Sequence, residues 1–192
     1  MTSIKFYLYL FIILYSVSTR AQREPASVSS QFLKINLLVE PGLDYEIKLS
    51  NKITLGTTVG VTPVFARRYD RETFRSQTRW GLASKLQVYT RNYYNLGRRI
   101  QKGKSIRGNS GNYWGIDGTY MGVPYIVKPS EFDVSDISAF AFSVHYGLQR
   151  SSPHGFNFGF NVGLGVIRED GYTDPLVPSL NLYFGWILFR KP

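Results

Sequence analysis

The chain has 192 residues, which suits one domain, and no cysteine, so disulfides are excluded as a source of stability. Its formal charge is +10, from 23 Lys and Arg against 13 Asp and Glu, a balance that fits an anionic partner. Aromatic residues make up 16% of the chain and glycine occupies 18 positions, a mix that disfavours a soluble helical domain and suits a barrel with aromatic girdles.

The first segment, 1–21, reads as a signal peptide. Lys5 gives a positive start, 6–17 is apolar, and Ser18-Thr19-Arg20-Ala21 is a small-residue exit with a cut after Ala21. The apolar run falls short of the ~20 residues of a transmembrane helix. An uncleaved anchor is the competing reading. Removing 1–21 takes away Lys5 and Arg20 and no acid, which lowers the charge from +10 to +8. Residues 22–31, polar with Pro25 and several serines, read as a flexible lead. The barrel is expected over 32–192.

From Phe32 onward the pattern has period two, the strand signature. Strands are expected near 32–39, 43–49, 53–65, 79–94, 112–121, 138–148, 156–167 and 179–189. The clearest is 156–167. Phe156, Phe158, Phe160, Val162, Leu164 and Val166 share one face; Asn157, Gly159, Asn161, Gly163 and Gly165 share the other. A helix would scatter both sets around its circumference. Residues 140–148 repeat the design, with Ala141, Ser143, His145 and Gly147 on the small face. So do 53–62, with Thr54, Gly56, Thr58, Gly60 and Thr62.

A soluble sheet would fill its second face with charged and long polar residues. Here that face holds mostly Gly, Asn, Ser, Ala and Thr, which suit a narrow lumen. The large apolar face must then point outward. This inversion predicts an all-β fold: a closed, antiparallel, up-and-down transmembrane barrel of eight strands. No later segment has 18 consecutive apolar residues, so any crossing is made by strands. Connection lengths broadly alternate between short and long. Two break the pattern: 95–111 is long where a short one is expected, and Glu40-Pro41-Gly42 is short where a long one is expected. The second leaves open that 32–49 is one bent strand.

Several inward positions are charged. Asp44, Glu46 and Lys48 alternate with apolar neighbours, Lys85, Gln87 and Arg91 share a face of the fourth strand, and Asp117 lies on the fifth. Opposite signs in a narrow lumen pair with one another, which offsets lost hydration. The expected result is a salt-bridged plug; a gated ion path is the alternative. Ser143 and His145 share the small face but point in parallel, a poor arrangement for nucleophile and base. They read as lumenal hydrogen-bonding groups, and His154 falls in a Pro-Gly turn. No metal-ligand spacing, phosphate loop or nucleophile elbow is present. No catalytic residue, cofactor or nucleic-acid partner is expected. The segment carrying Arg98, Arg99, Lys102, Lys104 and Arg107 contains no acid. It reads as a solvated basic turn near anionic headgroups, or as a docking point for a periplasmic partner. The loop from Arg67 to Glu72 mixes signs and is expected on the outer side.

The run Lys34-Ile35-Asn36-Leu37-Leu38, the run Gly42-Leu43-Asp44-Tyr45-Glu46 and the tight Leu49-Ser50-Asn51-Lys52 turn resemble small outer-membrane β-barrel proteins of the Bacteroidota type. So do Tyr93-Tyr94-Asn95-Leu96, the basic residues after it, and Asn109-Ser110-Gly111-Asn112-Tyr113. The likeness covers most of the chain after residue 21. It implies the barrel and an outer-membrane location; that family is largely of unknown function, so no catalytic residue transfers. The chain departs from it at the end, where Phe189 is followed by Arg190-Lys191-Pro192. The expected role is a structural or interaction protein, or a subunit of an outer-membrane assembly, touching outer-membrane lipids and protein partners. A narrow channel and a lipid-modifying enzyme are the alternatives.

Overall fold

The computed structural model describes residues 26–70, 75–122, 125–126, 138–169 and 172–191. The signal peptide expected at 1–21, residues 22–25 of the lead, and Arg71 and Glu72 of the outer loop lie outside the described residues.

Period-two alternation becomes strand throughout. The strands are β1 Gln31–Leu38, β2 Gly42–Lys48, β3 Ile53–Asp70 and β4 Arg75–Asn92. They continue with β5 Gly111–Met121, β6 Ala139–Ser151, β7 Phe156–Glu169 and β8 Tyr172–Lys191. Each is antiparallel to the next in chain order, and β8 returns to pair with β1. The sheet therefore closes on itself as an eight-stranded barrel, in which every strand has a neighbour on either side. A two-residue bridge, Tyr125–Ile126, adds to β4 beyond the end of β5. Residues 32–49 are two strands with a turn at 39–41, so the strand count is even. No described helix is long and apolar enough to cross a membrane.

Three strands outrun their expected ends. β3 continues to Asp70, β4 starts at Arg75, and β8 starts at Tyr172. Arginines and prolines interrupt the hydrophobic alternation there, but a ladder needs only backbone groups. The β3–β4 register runs unbroken through Arg67↔Thr78 to Asp70↔Arg75.

Both ends of the strand sequence meet at one rim, where Gln31 pairs with Lys191. We call this the near end and the opposite rim the far end. The near end is capped by the β4–β5 connection, which carries helix α1 Leu96–Gln101 and a 3-10 turn Arg107–Asn109. The lead, expected to be flexible, is packed from residue 26 onward. Val28 is buried against Tyr93, Leu96 and Tyr113. Its N–H bonds the Asn51 carbonyl, and the Ser30 N–H bonds the Lys191 carbonyl. An apolar residue among serines suffices to anchor the segment once tyrosines line the rim.

The layering is inverted relative to a soluble protein. Among the described residues, 28 large apolar side chains are exposed, while the buried set holds 19 polar or charged residues against 9 apolar ones. Phe142, Val144, Leu164 and Val166 form one exposed apolar patch.

Candidate functional site in the lumen

The lumen gathers the charges that the sequence placed inward and adds others. In its near half Glu46 is a hub. Arg91 donates to Glu46 Oε1 at 2.9 Å, while Tyr93 Oη and Asn109 Nδ2 donate to Glu46 Oε2 at 3.3 and 3.1 Å. Lys34 Nζ lies 3.3 Å from Asp44 Oδ2, and Tyr89 donates its hydroxyl to the same carboxylate at 2.5 Å. Gln149 ties both cations together. Its Oε1 accepts from Lys34 at 3.2 Å, Arg91 at 3.3 Å and Tyr183 at 3.0 Å, and its Nε2 donates to the Gly108 carbonyl at 2.8 Å.

Two cations and two anions thus neutralise one another where hydration is lost. Lys34, Glu46 and Gln149 have no exposed surface. Pairing with full hydrogen bonding is what lets such groups stay charged out of water. Tyrosine rings supply the remaining contacts. The Arg91 guanidinium lies 4.0 Å from the Tyr89 ring centre and 4.8 Å from that of Tyr113. Its Nε has no hydrogen-bond partner among the described residues, and these π-faces lie beside it instead.

The far half is built differently. Lys85 pairs with Glu40 at 2.5 Å, and Thr62 donates to the other oxygen of Glu40 at 3.1 Å. Asp117 accepts from Ser143 at 2.6 Å and from Thr119 at 3.1 Å. His145 Nδ1 approaches Asp117 Oδ2 at 2.9 Å, but off the line of a good hydrogen bond. The carboxylate therefore stands between Ser143 and His145. A nucleophile relay would need the imidazole in that middle position. Among the described residues no cluster of three or more His, Cys, Asp or Glu could hold a metal ion.

Five of the six residues expected in the lumenal network are buried there: Asp44, Glu46, Lys85, Arg91 and Asp117. Lys48 is not. It ends β2 at the near rim, makes no ion pair with a described residue, and lines a recess with Arg107 and Arg190. Strand parity set its face correctly, but the last residue of a strand has already left the lumen. The expected basic turn is partly helical. Arg98 and Arg99 lie on α1, Arg107 opens the 3-10 turn, and Arg99 is held by its guanidinium on the Ser105 carbonyl. Arg98, Lys102, Lys104 and Arg107 remain exposed, as a solvated basic surface requires.

Sequence reasoning missed Lys34, Glu40 and Gln149, and it expected an inner face of small groups. Phe32, Tyr89, Tyr93, Tyr113 and Tyr183 are buried inside as well. The signal was available in parity: Lys34 and Asn36 alternate with Leu33 and Ile35 as Asp44 and Glu46 do with Leu43 and Tyr45. Tyrosine hid its face because its body is apolar and its tip polar.

Comparison of the chain with protein-family models, with curated proteins and with solved structures finds no match in any of the three.

Proposed function

We propose that this chain is an integral outer-membrane barrel whose filled lumen makes it a structural or interaction protein, or a subunit of an outer-membrane assembly. The observation that carries this reading is the inverted layering: apolar side chains outside, paired charges inside. The described outer face is dominated by large apolar side chains, and lipid is the solvent that such a surface matches. Aromatic rings at the near rim support it. Trp114 lies 5.0 Å from Tyr146, and Phe156 lies 5.3 Å from Trp186, all on the outer face. Such girdles settle at headgroup level.

The near end supplies the interaction surface. Segments 48–52, 93–110, 150–155 and 190–191 hold ten basic residues and no acid. That exceeds the net charge of +8 left after removal of 1–21, so the rest of the chain is slightly acidic. A surface of one sign, fixed beside the membrane boundary, attracts anionic headgroups or an acidic periplasmic partner. The packed near section of the lumen speaks against an open channel.

The test is fractionation followed by affinity purification of the tagged full chain. We expect it in the outer-membrane fraction, released only by detergent, with migration on gels that changes on heating. Recovery in the aqueous fraction without detergent would overturn the reading.

A further inference from the structure

Among the described residues the wall of the barrel is incomplete at the far end. β1 and β2 have 8 and 7 residues, while their outer neighbours β8 and β3 have 20 and 18. Pairing stops at Leu38↔Phe184 on one side and at Gly42↔Gly60 on the other. Above the 39–41 turn, 61–70 of β3 and 172–183 of β8 flank a place where two strands are missing. Three strand spacings of ~4.8 Å make that gap about 14 Å wide. Apart from the bond from the Val61 N–H to the Pro41 carbonyl, no described residue pairs with either edge.

Both edges are blunted by proline. The Val61 N–H points toward the gap side, so residue 63, two further on, would point the same way; it is a proline. The Ile187 N–H points to β7, and the β7–β8 register is continuous from 186 back to 177. Even-numbered residues there turn their N–H to the gap, and Pro178 is one of them. Prolines at such positions prevent an added strand from docking. The gap is therefore kept open against strand addition, whether from a second copy or from a partner.

Apolar side chains are displayed at its rim. Val39 and Leu176 both have left-handed backbone, φ 67° and 61°, which a β-branched valine rarely adopts. They are 51% and 71% exposed, and Leu180, on the same strand as Leu176, is 69% exposed. Behind the gap is a cavity of about 240 Å³. Its lining comes from β3 to β8 and from Glu40 at the threshold, so among the described residues the side without a strand is the gap itself. Inside it, Ser179 Oγ is buried without a partner among the described residues. The charged groups are Glu40, Lys85 and Asp117, two carboxylates and one ammonium. Carboxylates thus outnumber ammonium groups two to one in the lining.

We propose that the gap is a side entrance admitting the headgroup of an amine-bearing acyl amphiphile, whose chain stays outside against Val39, Leu176 and Leu180. The inference rests on the membrane placement proposed above. The cavity is smaller than the ~300–1,000 Å³ that enclose a drug-sized ligand, so it takes a headgroup and not a chain. The carboxylates receive the amine, and Lys85 balances a phosphate if one is attached.

The experiment is native mass spectrometry of the full chain in detergent micelles, titrated with lysophosphatidylethanolamine and, separately, lysophosphatidylglycerol of the same chain length. We expect one-to-one binding of the amine-bearing probe, about tenfold tighter than the glycerol probe, because a lost charge-assisted hydrogen bond is worth that much. Ser179→Trp and, independently, Thr62→Phe fill the entrance and should abolish binding while the heat-dependent gel shift persists. Glu40→Gln frees Lys85 and should reverse the preference toward the glycerol probe. Equal binding of both probes, or binding unchanged in both filled variants, overturns the proposal. A chain that requires detergent yet binds neither probe overturns it while leaving the membrane placement standing. A chain soluble without detergent removes the placement first.

Discussion

Gly159 lies directly opposite Tyr183, and the tyrosine ring occupies the space that a Cβ on residue 159 would need. The same pairing occurs twice more. Gly56 faces Tyr89 and Gly147 faces Tyr113, each across one ladder step and each with the ring where a Cβ would go. A narrow barrel can hold four inward tyrosines only if neighbouring wall positions give up their side chains. The glycines are thus part of the packing and not merely small lining. Gly159→Val should push the ring aside and destabilise the barrel by ~1–3 kcal/mol, the range for overpacking. Gly97→Ala, on α1 with open space around it, should be neutral or stabilising by up to ~1 kcal/mol. Reversible denaturant unfolding from lipid vesicles, read by tryptophan fluorescence, distinguishes the two. A neutral Gly159→Val would remove the ring-over-glycine account.

Arg91 and Glu46 give the second prediction. Both are buried, and each is the other's principal counter-charge. Glu46→Gln leaves a guanidinium without its partner in a site closed to water, which costs about 3–5 kcal/mol. Replacing both, as Arg91→Met with Glu46→Leu, should cost less than the sum of the singles, since no buried charge is left over. A double-mutant cycle measured by the same unfolding assay reads the coupling. Additive effects would mean that the pair is hydrated and that the lumen is not the packed interior described above.

How much of this was legible follows from which forces leave a local trace. Parity along a strand is local, so the faces of Thr54, Ser143, His145 and Asn157 are readable one residue at a time, and so is the inward turn of Asp44, Glu46 and Arg91. Strand ends are less local. The hydrophobic alternation stops at Arg67 and Pro178, whereas the ladder continues on backbone groups alone. Pairing across the barrel leaves no local trace at all. Lys34 meets Gln149 across 115 positions, and Asn109 meets Glu46 across 63. The gap in the far wall is equally silent, because it arises from unequal strand lengths on either side of a short hairpin.

Asn109 carries the last prediction, because it joins three parts of the cap. Its Nδ2 donates to Glu46, and its Oδ1 accepts the Ser29 N–H at 2.8 Å. Asn109→Ala leaves a buried N–H and a buried carboxylate oxygen short of a partner, costing about 1–3 kcal/mol. It should also loosen the lead, so that limited proteolysis cuts within 26–30 in the variant and not in the wild type. Leu96→Ala removes the apolar anchor of the same cap and should cost about 2–5 kcal/mol. Exposed Arg98→Ala should stay within ~0.5 kcal/mol. Neither cap variant should conduct in planar bilayers. Below the cap, Phe32, Gln149 and Tyr183 still fill the section where Lys34 meets Asp44 and Arg91 meets Glu46. Steps of conductance in Asn109→Ala would show that the cap, and not the packed section beneath it, is what closes the barrel.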